Sequence, residues 1–413
     1  MSPVPPVKGA YAYPVAKDTL GARELAAAEG VLASGRFTMG PRVREFEEAF
    51  AEWVGSPHAV MVNSGSSANL LMVEAMLRSS AVASQWQPGE EVLVPALSWP
   101  TTVWPLVQLG LTPVFTDIDP DTLAIDLASA ESVLSDKTRG MFLIHVLGQP
   151  PDMATINDFN AAHGLDLLED TCEALGAHAA GRHAGTIGQM GSFSFYFSHH
   201  LTTIEGGMIT TADEGIRDDL VSMRSHGWAR DRGDSQRWVD DNPHIDPRFL
   251  FIGTGYNLRP TEINAAIGIV QLDRLAGMVE RRAELAAATA DWIAPIPWLR
   301  LIGSDRLGAP LLDDRPWREH SWMMLPFEVG EDAPVDTYEV MQQLEGFGIE
   351  TRPIVAGNLV RHPAMNNIRY RAADSLATAD RLLARGFMIG CHPTADPVEL
   401  EQLEAAFATL EKL

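Results

Sequence analysis

Lysine is nearly missing from this 413-residue chain, which has only Lys8, Lys17, Lys137 and Lys412. Positive charge of any kind is in short supply: 31 basic side chains face 55 acidic ones, a net charge of −24. A nucleic-acid groove is therefore excluded, because such a surface repels the phosphate backbone at long range. One or two arginines can still hold a diphosphate locally. Cysteine is rarer still. Cys172 and Cys391 cannot build a disulfide framework or an iron–sulfur cluster with four cysteine ligands. No apolar stretch approaches the length that spans a bilayer, and Met1-Ser2-Pro3-Val4-Pro5-Pro6 lacks the charged-then-apolar layout of a secretion signal. The expectation is a cytoplasmic protein with no membrane partner.

What is present is an ordinary globular composition, 46% apolar, with short apolar runs alternating with helix-like stretches. His58 to Val62, Glu91 to Pro95, Pro113 to Asp117, Gly140 to Leu147, Leu165 to Glu169 and Ser192 to Tyr196 read as strands. Nearly continuous apolar runs of this kind predict an α/β protein whose mostly parallel sheet is covered by helices, with its motifs at the strands' carboxyl ends. A long polar excursion from Ser225 to Thr254 reads as a lid or a dimer arm. A helix runs from Pro260 past Arg282. Near Pro295-Ile296-Pro297 the chain is expected to pass from a large unit, 1–294, into a smaller α+β unit, 295–413. That unit should have strands around Met323 to Phe327 and Glu350 to Val355, and a closing helix from Pro397.

Three motifs follow predicted strands. Asn63-Ser64-Gly65-Ser66-Ser67-Ala68-Asn69 opens a helix and offers backbone N–H groups to an anion, although by itself it is equally a Ser-rich helix cap. Ala96-Leu97-Ser98-Trp99-Pro100-Thr101-Thr102 could lay Trp99 against an aromatic ring; alone, it is a core tryptophan. Leu165 to Asp170 ends in two carboxylates, with Glu173 one step beyond. A carboxylate at a strand's end can pair with a protonated pyridine nitrogen or can cap a helix. A fourth segment, Ser192-Phe193-Ser194-Phe195-Tyr196-Phe197-Ser198-His199-His200-Leu201-Thr202-Thr203-Ile204-Glu205-Gly206-Gly207, carries adjacent histidines. They are not at helical ligand spacing for zinc, so no metal is expected.

Read in order, and with Gly255-Tyr256-Asn257-Leu258-Arg259-Pro260, these segments resemble the DegT/DnrJ/EryC1/StrS family of sugar aminotransferases, across essentially the whole chain. The resemblance implies the aspartate-aminotransferase-like fold type I and pyridoxal phosphate (PLP) as cofactor. In that family a lysine normally stands six residues before Glu-Gly-Gly; here the position is His199. An imidazole moves protons near neutral pH but cannot form the lysine's imine with the cofactor. His199-His200, Phe37-Thr38-Met39-Gly40 and Arg352-Pro353-Ile354-Val355-Ala356-Gly357-Asn358 look most like the lysine-less 3-dehydratases of nucleotide-linked 4-keto-6-deoxysugars. The expected substrate is GDP-4-keto-6-deoxymannose. PLP would be converted to pyridoxamine phosphate (PMP) by L-glutamate, since two cysteines rule out the relative that uses an iron–sulfur cluster. The resemblance places Gly65, Ser66, Ser67 and Ser194 on the cofactor phosphate, Trp99 on its ring, Asp170 on the ring nitrogen and Glu173 by the ring hydroxyl. It makes His199 the catalytic base and acid, brings Asn257 to the cofactor of the neighbouring subunit in a homodimer, and gives His226, Arg230 and Arg352 to the substrate. Two other readings stay open: an aminotransferase, which requires the missing lysine, and a silent PLP-fold protein, which would not need Asp170.

Overall fold

The computed structural model describes residues 11–309, 311–312 and 315–413, so Lys8 and the start of the N-terminal segment lie outside the described residues. Seven strands, β1 His58–Val62, β2 Glu91–Pro95, β3 Thr112–Thr116, β4 Thr138–Ile144, β5 Asp166–Asp170, β6 Met190–Ser194 and β7 Gly207–Thr211, join a two-residue strand, Arg371–Ala372, in one sheet of order β1-β7-β6-β5-β4-β2-β3-(371–372). The pairings from β6 through β5, β4 and β2 to β3 are parallel, and β7 alone runs against its neighbours. Central strands β2 and β3 are buried at every position, which is why they read as unbroken apolar runs rather than alternating ones.

Helix starts are local. Ser64 caps the helix Gly65–Arg78 by accepting from Ser67 N–H at 3.1 Å, and Thr261 caps the 32-residue helix Glu262–Ile293 through Asn264 N–H at 3.3 Å. β1 and β2 have the bounds expected from the sequence, and the ends of β3, β4, β5 and β6 differ by one to three residues. The largest difference is in β4, which stops at Ile144 because Val146–Gly148 turns sharply, with Leu147 at φ 51° and Gly148 at φ 101°. Strand β7 was not expected at all, since its short apolar core Met208-Ile209 lies behind two glycines.

A second, antiparallel sheet contains Leu299–Leu301, Met324–Val329, Gly386–Gly390 and Thr351–Arg352, in that order. It shares an apolar core with the closing helix Pro397–Leu410. With the proposed division of the units near residues 294 and 295, two segments lie on the far side of it. Arg371–Ala372 returns to the edge of the large sheet. The stretch around Tyr13, assigned above to the large unit, is corrected to the smaller one: Tyr13 is fully buried in its core and exchanges backbone hydrogen bonds with Gly348 and Glu350. The Ser225 to Thr254 excursion holds a short helix, Ser235–Asp241, and projects Phe249 and Phe251 outward, 61% and 50% exposed. No helix among the described residues is long and apolar enough to cross a membrane.

The loop at Gly185, packed on β6, leaves no room for a side chain at Gly191, where a Cβ would lie 2.0 Å from the Gly185 carbonyl oxygen. Gly191→Ala is expected to lower stability by about 3 kcal/mol, the cost of forcing atoms into a filled core. Urea unfolding measures this, and a wild-type midpoint would contradict the packing.

Candidate active site

A cavity of about 400 Å³ opens at the carboxyl ends of β4, β5 and β6 and is closed by the smaller unit. Its floor is the start of the Gly65–Arg78 helix, with Ser64, Gly65 and Ser66; its sides are Trp99, Thr101, Thr102, Asp170, Cys172, Glu173, Ser194 and His199. Met323, Met324, Val355 and Met388 of the smaller unit cover it, with Val15 from the N-terminal segment. No lysine lines it among the described residues. Lys17, nearest in sequence to a lining residue, is taken up by Glu399, 2.7 Å away.

The two adjacent carboxylates of β5 point to opposite faces of the sheet, as strand alternation requires. Glu169 is fully buried and accepts from Gly185, Ile187 and Gly188 N–H at 2.8, 2.7 and 2.6 Å, and it meets His145 Nε2 at 2.8 Å. Burial works to raise its pKa, but the hydrogen bonds from His145 and the loop outweigh that and hold it below the usual carboxylate value. Its task is to pin the loop 185–188. Asp170 faces the cavity instead. Its Oδ2 accepts from Asn69 Nδ2 at 2.8 Å and Thr102 Oγ1 at 2.6 Å, and its Oδ1 accepts from Cys172 N–H at 3.1 Å. Three donors from three segments leave this carboxylate one orientation.

His199 approaches from the loop after β6. Its Nδ1–H donates to the Cys172 carbonyl at 2.6 Å, which puts the proton on Nδ1 and leaves Nε2 with its lone pair. Burial is the main cause that lowers its pKa to about 4, helped by the charge of Arg282 and opposed by the Cys172 bond and Asp170. The imidazole is thus a free base at neutral pH. His200 turns away and is held by the Ser321 carbonyl at 3.0 Å, so the two neighbours do unlike jobs.

Glu173 accepts from Leu147 N–H at 2.9 Å through one oxygen and lines the cavity. Burial raises its pKa to about 7, against the pull of the Leu147 N–H, and the Asp170 charge adds to the rise. Around neutrality it is poised between acid and carboxylate.

Seven residues singled out from the sequence therefore meet in one place: Gly65, Ser66, Trp99, Asp170, Glu173, Ser194 and His199. Five do not. Ser67 turns its hydroxyl to Asn63 Oδ1 at 2.6 Å and serves the helix cap. Asn257 accepts from Arg259 Nε at 3.0 Å, outside the cavity. His226 packs edge-on against Trp228, and Arg230 lies over the same indole at 3.9 Å, beside the projecting excursion. Arg352 sits at the sheet edge opposite Met388, its guanidinium on Glu350. The sequence reading missed Asn69 and Thr102, each the last residue of a motif it had noted and already inside the following helix, and it missed the methionine wall. Nothing local marks Met323, Met324 or Met388, because they reach the cavity only through the second sheet.

The profile of the DegT/DnrJ/EryC1/StrS aminotransferase family matches residues 18–407. GDP-4-keto-6-deoxy-D-mannose 3-dehydratase of Yersinia pseudotuberculosis is 36% identical over 405 residues, covering 97% of this chain and 98% of the relative. Among solved structures, the Escherichia coli GDP-4-keto-6-deoxy-D-mannose-3-dehydratase with bound hydrated PLP superposes with a TM-score of 0.87 at 35% identity, over 96% of this chain and 99% of that one. A GDP-4-keto-6-deoxymannose-3-dehydratase with a trapped PLP-glutamate geminal diamine superposes equally well, TM-score 0.87 and 35% identity, over 96% and 100%. With its fold, its cavity at the strand ends and a match along nearly its whole length, the chain belongs to the DegT/DnrJ/EryC1/StrS family.

Proposed function

We propose that this protein is a PLP/PMP-dependent 3-dehydratase of a nucleotide-linked 4-keto-6-deoxyhexose, with GDP-4-keto-6-deoxymannose as substrate and L-glutamate as the amino donor that restores PMP. The observation that carries it is His199: a neutral imidazole held in the cavity where the family's aminotransferases need a lysine. The relatives' reported substrate, and the PLP and glutamate held by their structures, support the same reading.

The cavity fits the cofactor on its own chemistry. A Cβ at Gly65 would come within 2.6 Å of Ser194 Cβ and 2.9 Å of Cys172 Sγ, so glycine lets the helix start pack directly on both residues and bring its first N–H groups to the cavity. When bound, the cofactor supplies an electron-withdrawing ring and the amino group that joins it to the sugar's ketone. Gly65, Ser66 and Ser194 would hold its phosphate at the positive end of the helix, Trp99 would cover the ring, and Asp170 would hold the protonated ring nitrogen. Glu173 would share a proton with the ring hydroxyl. Nε2 of His199, left with its lone pair by the Nδ1–H bond to Cys172, takes a proton and afterwards gives it to the departing hydroxyl at carbon 3, which leaves as water. The methionine wall and Val15 keep water away while this happens.

A homodimer with shared sites is part of the proposal. It is supported by Asn257, His226 and Arg230, which lie outside their own cavity; His226 and Arg230 pack on Trp228, which stacks on the exposed Phe251. Ser67 is assigned to the helix cap and Arg352 to the rim of the smaller unit, where it can meet the nucleotide.

The test is the mass of the sugar released after incubation with PLP, L-glutamate and GDP-4-keto-6-deoxymannose. Loss of one oxygen is expected; an amine in place of the ketone would mean transamination. His199→Asn should reduce deoxysugar formation by about 10³-fold, the usual scale for losing a proton-transfer group, and full activity would reject the role given to His199. The pH profile has a second signature. His199 must start unprotonated, and its pKa near 4 means that protonation sets in only as pH falls well below neutral. Removing the other titrating group with Glu173→Gln should therefore leave kcat/KM flat from pH 7.5 to 5.5 (~2-fold at most); an acid limb at the ordinary histidine value would contradict the burial of His199. Mixed dimers of His199→Asn and Asn257→Asp chains hold one intact site. Co-expression should accordingly yield more activity than either variant alone, and no gain would argue against shared sites.

A further inference from the structure

Two non-glycine residues with left-handed backbone, Leu147 and Trp322, both at φ 51°, face each other beside the cavity. Bulky side chains rarely adopt that conformation, and the surroundings must enforce it where they do. Here Ser321 N–H donates to Gly148 O and Met323 N–H to Leu147 O, each at 2.9 Å, so two strained turns are stitched across the seam between the units. His320 adds a further hold: its ring stacks on Trp322 at 3.7 Å and 2°, and its Nδ1 accepts from Trp322 N–H at 3.0 Å. From this knot three supports reach the site. Leu147 N–H carries Glu173, the Ser321 carbonyl holds His200 beside His199, and Met323 and Met324 form the cavity wall.

Arg282 closes the knot from the large unit. It rises from the middle of the Glu262–Ile293 helix and is 4% exposed. Its Nη1 lies 2.8 Å from the Met323 carbonyl and 3.3 Å from that of Trp322, and it also bonds the Cys391 carbonyl. Its partners among the described residues are neutral, the three carbonyls and the Cys391 thiol, whose pKa burial pushes up to about 12, and its Nε has no partner. Burying a guanidinium without a carboxylate is costly, whereas a neutral amide could hold carbonyls without that cost. The charge itself therefore calls for a use.

We propose that Arg282 is a positioning residue for the reaction: clamped on the carbonyls of Trp322, Met323 and Cys391, it holds the strained Ser321–Met324 segment against the cavity and sets a fixed positive charge within reach of His199. The second half rests on the reading of His199 as the base. Asp170, Cys172, Glu173 and Glu205 line the cavity with His199, Tyr196 packs edge-on against its ring, His200 follows it in the chain, and Arg282 on the long helix acts on it through its charge. Asp170 favours the imidazolium and Arg282 opposes it, and the same cation also works against protonation of His200. Burial is the main cause of the neutral imidazole beside this carboxylate, and the Arg282 charge adds to it.

The test compares Arg282→Gln, which keeps a donor but loses the charge, with Arg282→Lys, which keeps the charge. In the PLP-loaded protein the His199 imidazole is followed by NMR with ring-labelled histidine, assigned by its absence in His199→Asn. Arg282→Gln should raise the His199 pKa by about one unit and lower kcat for deoxysugar release about tenfold, with KM changed much less. Arg282→Lys should leave the titration where it is in the wild type. A folded Arg282→Gln with wild-type titration and kcat overturns the proposal. If that variant does not fold, a displaced titration in Arg282→Lys overturns it instead. The titration is read without any sugar, so it decides the role of Arg282 even if no deoxysugar is formed.

Discussion

One hydrogen bond sets the chemistry of this cavity: the 2.6 Å contact between His199 Nδ1 and the Cys172 carbonyl. It fixes the tautomer, turns the basic nitrogen away from the protein, and ties the loop after β6 to the end of β5. Its acceptor is a backbone group two residues beyond Asp170, and Cys172 N–H in turn donates to the Asp170 carboxylate. The anion that would hold the ring and the base that would move the proton are therefore mounted on a single peptide turn. A change that rotates this turn displaces both together. Residues that only support it, such as Asn69 and Thr102, thereby share in the reaction without touching the substrate.

The site is also an assembly of two units. The large sheet supplies the polar groups at its strand ends, as open parallel sheets do, while the smaller unit supplies apolar cover through Met323, Met324, Val355 and Met388. Polar groups rigidly held on one side and a deformable thioether wall on the other suit a ligand with a fixed charged end and a variable sugar.

Much of this was legible in the sequence because it is local. Strands buried on both faces read as continuous apolar runs, the helix caps Ser64 and Thr261 announce their helices, and Gly65, Asp170 and His199 stand in short ordered motifs. The illegible parts depend on distant pairings. Strand β7 is defined by two antiparallel neighbours rather than by its own pattern. Tyr13 belongs to a core made mostly from residues beyond 285. Glu169 and Asp170, neighbours of the same type, could not be told apart until the sheet gave one to a buried loop and the other to the cavity. Ser67, the third serine of a motif expected to bind phosphate, is drawn off by Asn63, four residues before it.

The early strap around Tyr13 also bears on how the protein is made. Its hydroxyl donates to the Gly390 carbonyl, 377 positions away, and Val15 beside it lines the cavity that Met388 helps to close. Contacts of such sequence separation carry the largest loop-closure cost and form late. On the ribosome strands β1 to β7 can be in place while the strap has nothing to dock against. The reactive cavity is then the last feature to close, so a half-made chain presents a folded scaffold without a working site.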